Sequence, residues 1–238
     1  MDASTEKFLN QLREELKKDL GQNLQALILY GSLARGDFVP GRSDINLMLV
    51  LKVVDSAALF SVGRVFHKYR RHRFATPVVT DQGYLDSSVD VFPIEFEELK
   101  RHHRLLHGED LISPLLISRP QLRLELEREF KQNLLWLREL LIEYPDLSRE
   151  FMKGLLNAGR SLYTHLRALT LLQPEPEQKQ ELLERVEHIT GIKLPAIKWL
   201  ILLRMQPKPP KKAEVLKMVQ KLLEETALLA RFIDRGER

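Results

Sequence analysis

The stretch that decides the fold is YGSLARGDFVPGRSDINLMLV, residues 30–50. One apolar run, Leu24 to Tyr30, directly precedes Gly31-Ser32. A second apolar run, Leu47 to Val53, directly follows Ser43-Asp44-Ile45-Asn46. Apolar runs bounded by Gly, Pro, Asp or Ser are typical of β-strands. The stretch therefore predicts two strands joined by a short helical turn and a loop.

Asp44 and Asn46 lie at the start of the second predicted strand. Side chains two residues apart in a strand point to the same side, so these two project together while Ile45 turns into the core. Mg²⁺ prefers hard oxygen ligands and completes its shell with substrate phosphates. The spacing therefore makes Asp44 and Asn46 candidate catalytic and metal-binding residues.

The first strand is predicted to pass into a helical turn at Gly31-Ser32. Glycine lets a backbone approach a phosphate closely, and the N–H groups at a helix start attract anions. Ser32 adds a hydroxyl donor, and Arg35 adds a planar fork that suits phosphate. Together with Ser43, these residues are candidate nucleotide-binding residues.

Gly-Ser at residues 31–32 followed by Ser-Asp-Ile-Asn-Leu at residues 43–47 resembles the signature of the polymerase β-like nucleotidyltransferase superfamily. The resemblance implies transfer of a nucleoside monophosphate from a nucleoside triphosphate, with ATP expected, to a hydroxyl of a small molecule or protein. It also implies Mg²⁺ as cofactor, and a pair of such ions can clamp the attacking and leaving oxygens. A small domain of this kind followed by a helical bundle is similar to bacterial aminoglycoside nucleotidyltransferases.

The superfamily resemblance also implies a third carboxylate on a neighbouring strand, and VDVFPIEF, residues 89–96, is the next candidate strand. Asp90 and Glu95 compete for this role. Alternation places Glu95 on the less apolar side and late in the strand, which favours it as metal ligand or base. Pro93 inside the run indicates an edge position or a bulge, so the alternation can fail and Asp90 stays open.

Asn46 stands where the superfamily usually has a second aspartate. Asparagine keeps the shape of aspartate but loses its charge, so the site should hold a second Mg²⁺ ion more weakly. Three outcomes are open: transfer at a reduced rate, nucleotide binding without turnover, or a scaffold kept for binding. A catalytically inactive, regulatory relative is therefore the alternative function.

Other basic and histidine patterns indicate a nucleic-acid role only weakly. The run HKYRRHR, residues 67–73, can contact phosphates, but a solvated helix end explains it better. Arg160 and His165 match a loose Arg-x4-His pattern of helical ribonucleases, which chance also produces. A nucleic-acid partner is therefore not expected.

The 238 residues are enough for two domains, and the predicted boundary falls after residue 115. Residues 1–115 are expected to form an α+β nucleotidyltransferase domain, and residues 116–238 an all-α bundle. The sequence has no cysteine, which excludes disulfides and thiolate zinc sites. No signal peptide and no membrane partner are expected, so the predicted location is cytoplasmic. A homodimer formed through the bundle is compatible with the sequence.

Periodicity predicts the elements. In the first domain, helices are expected over residues 4–20, 56–69 and 97–106, and strands over 24–30, 45–54, 76–80 and 89–96. These suit a small mixed sheet with helices mainly on one side. In the second domain, helices are expected from residue 120 to the break at Pro145, and over 147–172, 177–189, 195–203 and 211–233.

Overall fold

The computed structural model describes residues 3–38, 43–173, 181–203 and 210–236. The chain divides into two units, Met1–Ile117 and Ser118–Arg238. Pro40-Gly41, in the loop predicted between the first two strands, and the first residues of the predicted helix 177–189 lie outside the described ranges.

The first unit alternates helices and strands in the order that the sequence predicts over its first half. Its elements are α1 Ala3–Leu20, β1 Leu24–Tyr30, α2 Ser32–Arg35, β2 Asn46–Leu51, α3 Ser56–Lys68, β3 Val78–Asp81, α4 Gln82–Ser88, α5 Pro93–Arg101 and β4 Arg104–Gly108. A 3₁₀ turn, Arg70–His72, follows α3.

The four strands form one mixed sheet in the order β3-β2-β1-β4, as predicted for the fold class. β1 pairs antiparallel with β2 and with β4, whereas β2 and β3 are parallel. The register places Tyr30 opposite Asn46, and an isolated parallel bridge joins Ile45 to Phe74. The start of β2 therefore meets the end of β1 on one side and the segment before β3 on the other.

Helices cover both faces of this sheet, whereas the sequence predicted them mainly on one. Alternate residues of β1 and β2, such as Leu27 and Leu49, pack against α1 and α3. The opposite set, which includes Ile28 and Met48, packs against α4 and α5. The apolar stripe of α1 is buried. Its members are Phe8, Leu9, Leu12, Leu16 and Leu20.

The prediction of a strand over residues 89–96 is wrong. Residues 82–88 and 93–101 are the helices α4 and α5, which supply the second helical layer. Pro93 stands at the first position of α5, where its missing N–H costs nothing. Phe96 and Leu99, three residues apart, are the buried side of that helix.

The predicted helix over residues 97–106 ends early. α5 stops at Arg101, and residues 104–108 form the edge strand β4. β4 is half exposed along its length, so it carries no apolar alternation that the sequence could reveal. Backbone pairing with β1 holds it in place.

The second unit is a bundle of five helices in its described part, as the periodicity predicts. They are α6 Arg119–Glu143, α7 Arg149–Thr170, α8 Leu182–Thr190, α9 Pro195–Leu203 and α10 Lys212–Arg235. α6 packs against α7 and α10, and α7 also packs against α8 and α9. Phe130, Phe151 and Leu162 are fully buried in this core.

No helix in the described ranges combines the length and the apolar character that crossing a membrane would require.

Candidate active site

Gly31 and Asn46 are brought together by the pairing of β1 with β2. Gly31 has φ 75° and ψ −154°, a backbone conformation that only glycine adopts readily. A Cβ atom at residue 31 would lie 2.4 Å from Asn46 Nδ2, so the Asn46 side chain occupies the space that the glycine leaves. The two motif halves therefore form one corner, where β1 ends and β2 begins.

Tyr30 is the partner of Asn46 in the antiparallel register and lies next to this corner. It packs against the hydrophobic cluster that contains Met48 and Phe96. Burial raises the pKa of the Tyr30 hydroxyl, so it stays protonated at neutral pH. The corner thus has an apolar, uncharged wall on the side of β1.

Arg35 lies at the end of the four-residue helix α2 and is already paired with acids. Its Nε lies 3.4 Å from Asp37 Oδ1, and its Nη1 lies 3.6 Å from Glu98 Oε2. The side chain is only 18% exposed. Arg35, the residue expected to bind phosphate, is therefore largely buried near two acids, but its buried Nε has no hydrogen-bond partner among the described residues. Its contact with Glu98 places α5 beside the Gly31-Ser32 turn.

Asp44 forms an ion pair that the sequence did not predict. Nε and Nη2 of Arg73 each lie 3.2 Å from the same oxygen, Oδ1 of Asp44. Arg73 reaches this position because its backbone carbonyl accepts a hydrogen bond from Ile45 N–H, at 2.9 Å. The basic run of residues 67–73 thus ends at the candidate site.

The remaining predicted residues lie around the same corner or on α5. Ser43 is half-buried and directly precedes Asp44, and Ser32 begins α2. Glu95 is exposed in the first turn of α5, where a carboxylate is favourable for the helix dipole, and not on a strand as predicted. Asp90 is exposed in the turn that precedes this helix.

The donor set does not fit two metal ions held by the protein. The segment that leads into β2 contributes one carboxylate, Asp44, and the first residue of β2 contributes one neutral amide, Asn46. β3 carries only Asp81, which lies at the far end of the strand opposite Leu51 and caps α4. Within the described ranges, no three Asp, Glu, His or Cys side chains are grouped to hold a metal. The residues fit at most one ion, whose remaining ligands would be oxygens of the nucleotide phosphates.

Arg160 and His165 of the loose ribonuclease pattern have separate partners within the second unit. His165 Nδ1 accepts a hydrogen bond from Asn133 Nδ2, at 2.6 Å, and its Nε2 lies 3.2 Å from Glu129. Burial lowers the pKa of His165, while the charge of Glu129 opposes that shift. Arg160 donates to Asn157 instead. These contacts join α6 to α7 and assign His165 a packing role.

Sequence reasoning missed two charged residues of the corner, Arg73 and Glu98. The signal for Arg73 was present, because a basic run stood directly before a strand predicted to join the same sheet. Its contact with Asp44 depends on pairing between segments almost thirty residues apart, which no local pattern reveals. Glu98 was hidden by the wrong assignment of the residues that precede it.

Comparison with known proteins identifies the fold and the family of this chain. Spectinomycin adenyltransferase AAD(9) from Enterococcus faecialis, solved with ATP and spectinomycin, shares the fold with a TM-score of 0.51 at 11% identity. The alignment covers 93% of this chain and 98% of that one. No curated protein is significantly similar to this chain. Residues 9–228, most of the sequence, match the family described as nucleotidyltransferase domain. On this match, the chain belongs to the nucleotidyltransferase domain family of transferases.

Proposed function

We propose that this chain binds a nucleoside triphosphate, with ATP expected, at the corner formed by Gly31, Asp44 and Asn46. It transfers the nucleoside monophosphate to a hydroxyl of a small molecule or protein. The contact between Gly31 and Asn46 carries this proposal, because it brings both halves of the family motif to one place. The similar adenyltransferase was solved with ATP and a small molecule, spectinomycin, which supports a small-molecule acceptor.

In the proposed reaction, the acceptor hydroxyl oxygen forms a bond to the α-phosphorus. The bond from that phosphorus to the bridging oxygen of the β-phosphate breaks, and pyrophosphate leaves with its electrons. Ser32, Ser43 and the backbone at Gly31 position the phosphates. Asp44, with the amide oxygen of Asn46, would hold a Mg²⁺ ion, whose charge offsets that of the triphosphate.

The proposed acceptor of the hydroxyl proton is Glu95. α5 covers the sheet face to which Asn46 and Met48 point, and Glu98 of α5 pairs with Arg35 of the motif turn. Glu95 lies one helical turn before Glu98 on the same helix, which supports this assignment. Its carboxylate is exposed and therefore accessible to an acceptor.

A second candidate function is nucleotide binding without turnover. Two observations favour it: Asn46 carries no charge, and Arg73 engages the carboxylate of Asp44. We further propose that residues 1–115 form the transferase domain and residues 116–238 a helical domain. A cytoplasmic location, where ATP and Mg²⁺ are available, accords with the proposed reaction and with a sequence that has no cysteine.

Calorimetric titration with ATP, GTP, CTP and UTP, with and without Mg²⁺, tests the proposed site. We expect micromolar or tighter binding of at least one triphosphate in Mg²⁺, and a loss of about tenfold or more in Asp44→Ala. Asp86→Ala, which removes an exposed acid of α4, is the matched control and should bind as the wild type does. Failure of all four triphosphates to bind in Mg²⁺ would refute the proposal.

Pyrophosphate release in the presence of a panel of hydroxyl acceptors then separates the two candidate functions. Wild-type turnover identifies a transferase. Binding without turnover, together with activity that emerges in Asn46→Asp, identifies a protein that binds nucleotide but has lost its chemistry.

A further inference from the structure

Arg73 has an unusual backbone that the surrounding structure holds in place. Its φ of 56° and ψ of 43° lie in the left-handed region, which is disfavoured for a residue with a β-carbon. Only Leu147 shares a positive φ among the described non-glycine residues. Strained residues of this kind persist where neighbouring contacts fix them, and they cluster at functional sites.

The residues on both sides of Arg73 provide those contacts. The ring of His72 stacks on Phe8, with centroids 4.4 Å apart, and Phe74 packs edge-on against Phe8 and Phe66. The Ile45 N–H donates a hydrogen bond to the carbonyl of Arg73, and the Ile45 carbonyl accepts one from the N–H of Ala75. Arg73 is therefore fixed between two anchored neighbours, directly beside the start of β2.

Its guanidinium is directed to the proposed nucleotide site and is accessible there. The side chains of Arg73 and Asp44 are 48% and 53% exposed. An ion pair this exposed contributes little to stability, so an incoming anion can replace the carboxylate at small cost. The pair with Asp44 involves one carboxylate oxygen, Oδ1, and two of the five N–H donors of a guanidinium.

The charges at the corner differ from those of a site that holds two metal ions. Of the side chains beside the start of β2, Asp44 contributes one negative charge, Asn46 none, and Arg73 one positive charge, so the sum over these three is zero. A triphosphate brings several negative charges, which need cations close to them. The planar fork of an arginine matches two phosphate oxygens at once.

We propose that Arg73 is a nucleotide-binding residue that exchanges Asp44 for oxygens of the β- and γ-phosphates. A site with more carboxylates would bind a second metal ion and so gain its positive charge. Here the Arg73 side chain supplies positive charge instead. The inference rests on the proposed nucleotide site and deepens it. It implies that the chain binds a triphosphate measurably without any divalent cation, and binds a monophosphate much less well.

The test is calorimetric titration with ATP and with AMP, in EDTA and in Mg²⁺, on the full chain. Arg73→Gly is the informative variant, because glycine adopts the left-handed conformation without strain and only the side chain is lost. Arg71→Ala is the matched control, since Arg71 is an exposed arginine of the same 3₁₀ turn. Thermal unfolding checks that each variant is folded.

We expect the wild type to bind ATP in EDTA, and Arg73→Gly to lose about ten- to hundredfold of that affinity. Arg71→Ala should stay within about twofold, because it lies outside the ion pair. AMP affinity should be nearly equal in wild type and Arg73→Gly. Asp44→Asn should bind ATP more tightly than the wild type in EDTA, since it removes the carboxylate that competes with phosphate for Arg73, and more weakly in Mg²⁺.

Three outcomes would overturn the inference while the proposed function stands. These are ATP binding only in Mg²⁺, equal metal-free affinities in wild type and Arg73→Gly, and a fall of metal-free affinity in Asp44→Asn. An absence of ATP binding both in EDTA and in Mg²⁺ would overturn the inference, and the same absence for GTP, CTP and UTP would overturn the proposed function as well.

Discussion

Gly31 illustrates how much of the candidate site depends on one residue without a side chain. Its backbone conformation is one that other residues avoid, and Asn46 fills the space beside it. The same residue therefore sets the direction of the turn towards α2 and the position of the side chain at residue 46. Its role is geometric, and it contributes no charge or hydrogen-bonding side chain to the chemistry.

Gly31→Ala should destabilise the first unit by about 2 to 4 kcal/mol, because it adds backbone strain and a steric overlap with Asn46. It should also weaken nucleotide binding in the calorimetric assay. Gly36→Ala is the control, since Gly36 has φ 90° but open space around its Cα. Urea unfolding should show a smaller loss for Gly36→Ala, of about 1 to 2 kcal/mol. Equal losses in both variants would contradict a role for the contact with Asn46.

Residues of the site differ in how well the sequence predicts them. Gly31, Asp44 and Asn46 follow from a local motif, and the structure brings them to one corner of the sheet. Arg73 joins them only because a parallel bridge links Ile45 with Phe74. Local patterns report on neighbours in the chain, whereas this contact depends on tertiary pairing.

At the scale of elements, buried strands and helices were predictable and exposed or ambiguous ones were not. β1 and α9 have the predicted bounds, because their apolar residues end sharply at polar or breaking residues. Residues 89–96 alternate like a strand, but the buried Phe96 and Leu99 repeat at helical spacing. Pro93 followed by Glu95 was the overlooked signal, since proline at the first position and an acid in the first turn favour a helix.

The turn after β4 depends on the carboxylate of Asp110. Partial burial raises the pKa of Asp110, but hydrogen bonds from the Ser113 hydroxyl and from the N–H groups of Ser113 and Ile112 outweigh it. Nearby His103 lowers it further, and the pKa falls to about 2 from an ordinary value of 3.8. The group therefore stabilises the fold above pH 3.8, and that contribution is lost as the pH falls towards 2.

Asp110→Asn should accordingly lower the stability at neutral pH, because the amide keeps the shape but loses the charge that the donors favour. It should also remove part of the loss of stability that the wild type shows between pH 3.8 and 2. The measurement is urea unfolding across this pH range. Glu109→Gln, at the neighbouring exposed acid, is the matched control. A wild-type curve that Asp110→Asn does not flatten would contradict this assignment.

At the scale of the whole molecule, each unit has a hydrophobic core of its own. Both clusters that enclose the sheet consist entirely of residues up to Ile117. The buried residues of α6 and α7, such as Phe130 and Phe151, belong to the second unit. A core that is complete within one segment of the chain is the physical requirement for independent folding.

Residues 1–117 expressed alone should therefore unfold in one cooperative transition, measured by circular dichroism in urea. Residues 1–101 are the matched control, because they lack β4 and leave one side of β1 without its partner. We expect this shorter segment not to fold. A gradual, non-cooperative transition for residues 1–117 would show that the first unit needs the second.

The position of β2 in the middle of the sheet has a consequence for the timescale of motion at the site. Residues 48–51 are paired with β1 on one side and β3 on the other, and their side chains are buried. Amide protons in such a strand exchange with water only when the sheet as a whole opens, which is slow and rare. The exposed side chain of Arg73 lies beside this strand and has several rotatable bonds, so it reorients within nanoseconds. The backbone that carries Asp44 and Asn46 is thus held by a rigid strand, while the guanidinium of Arg73 can adjust its position to a bound anion.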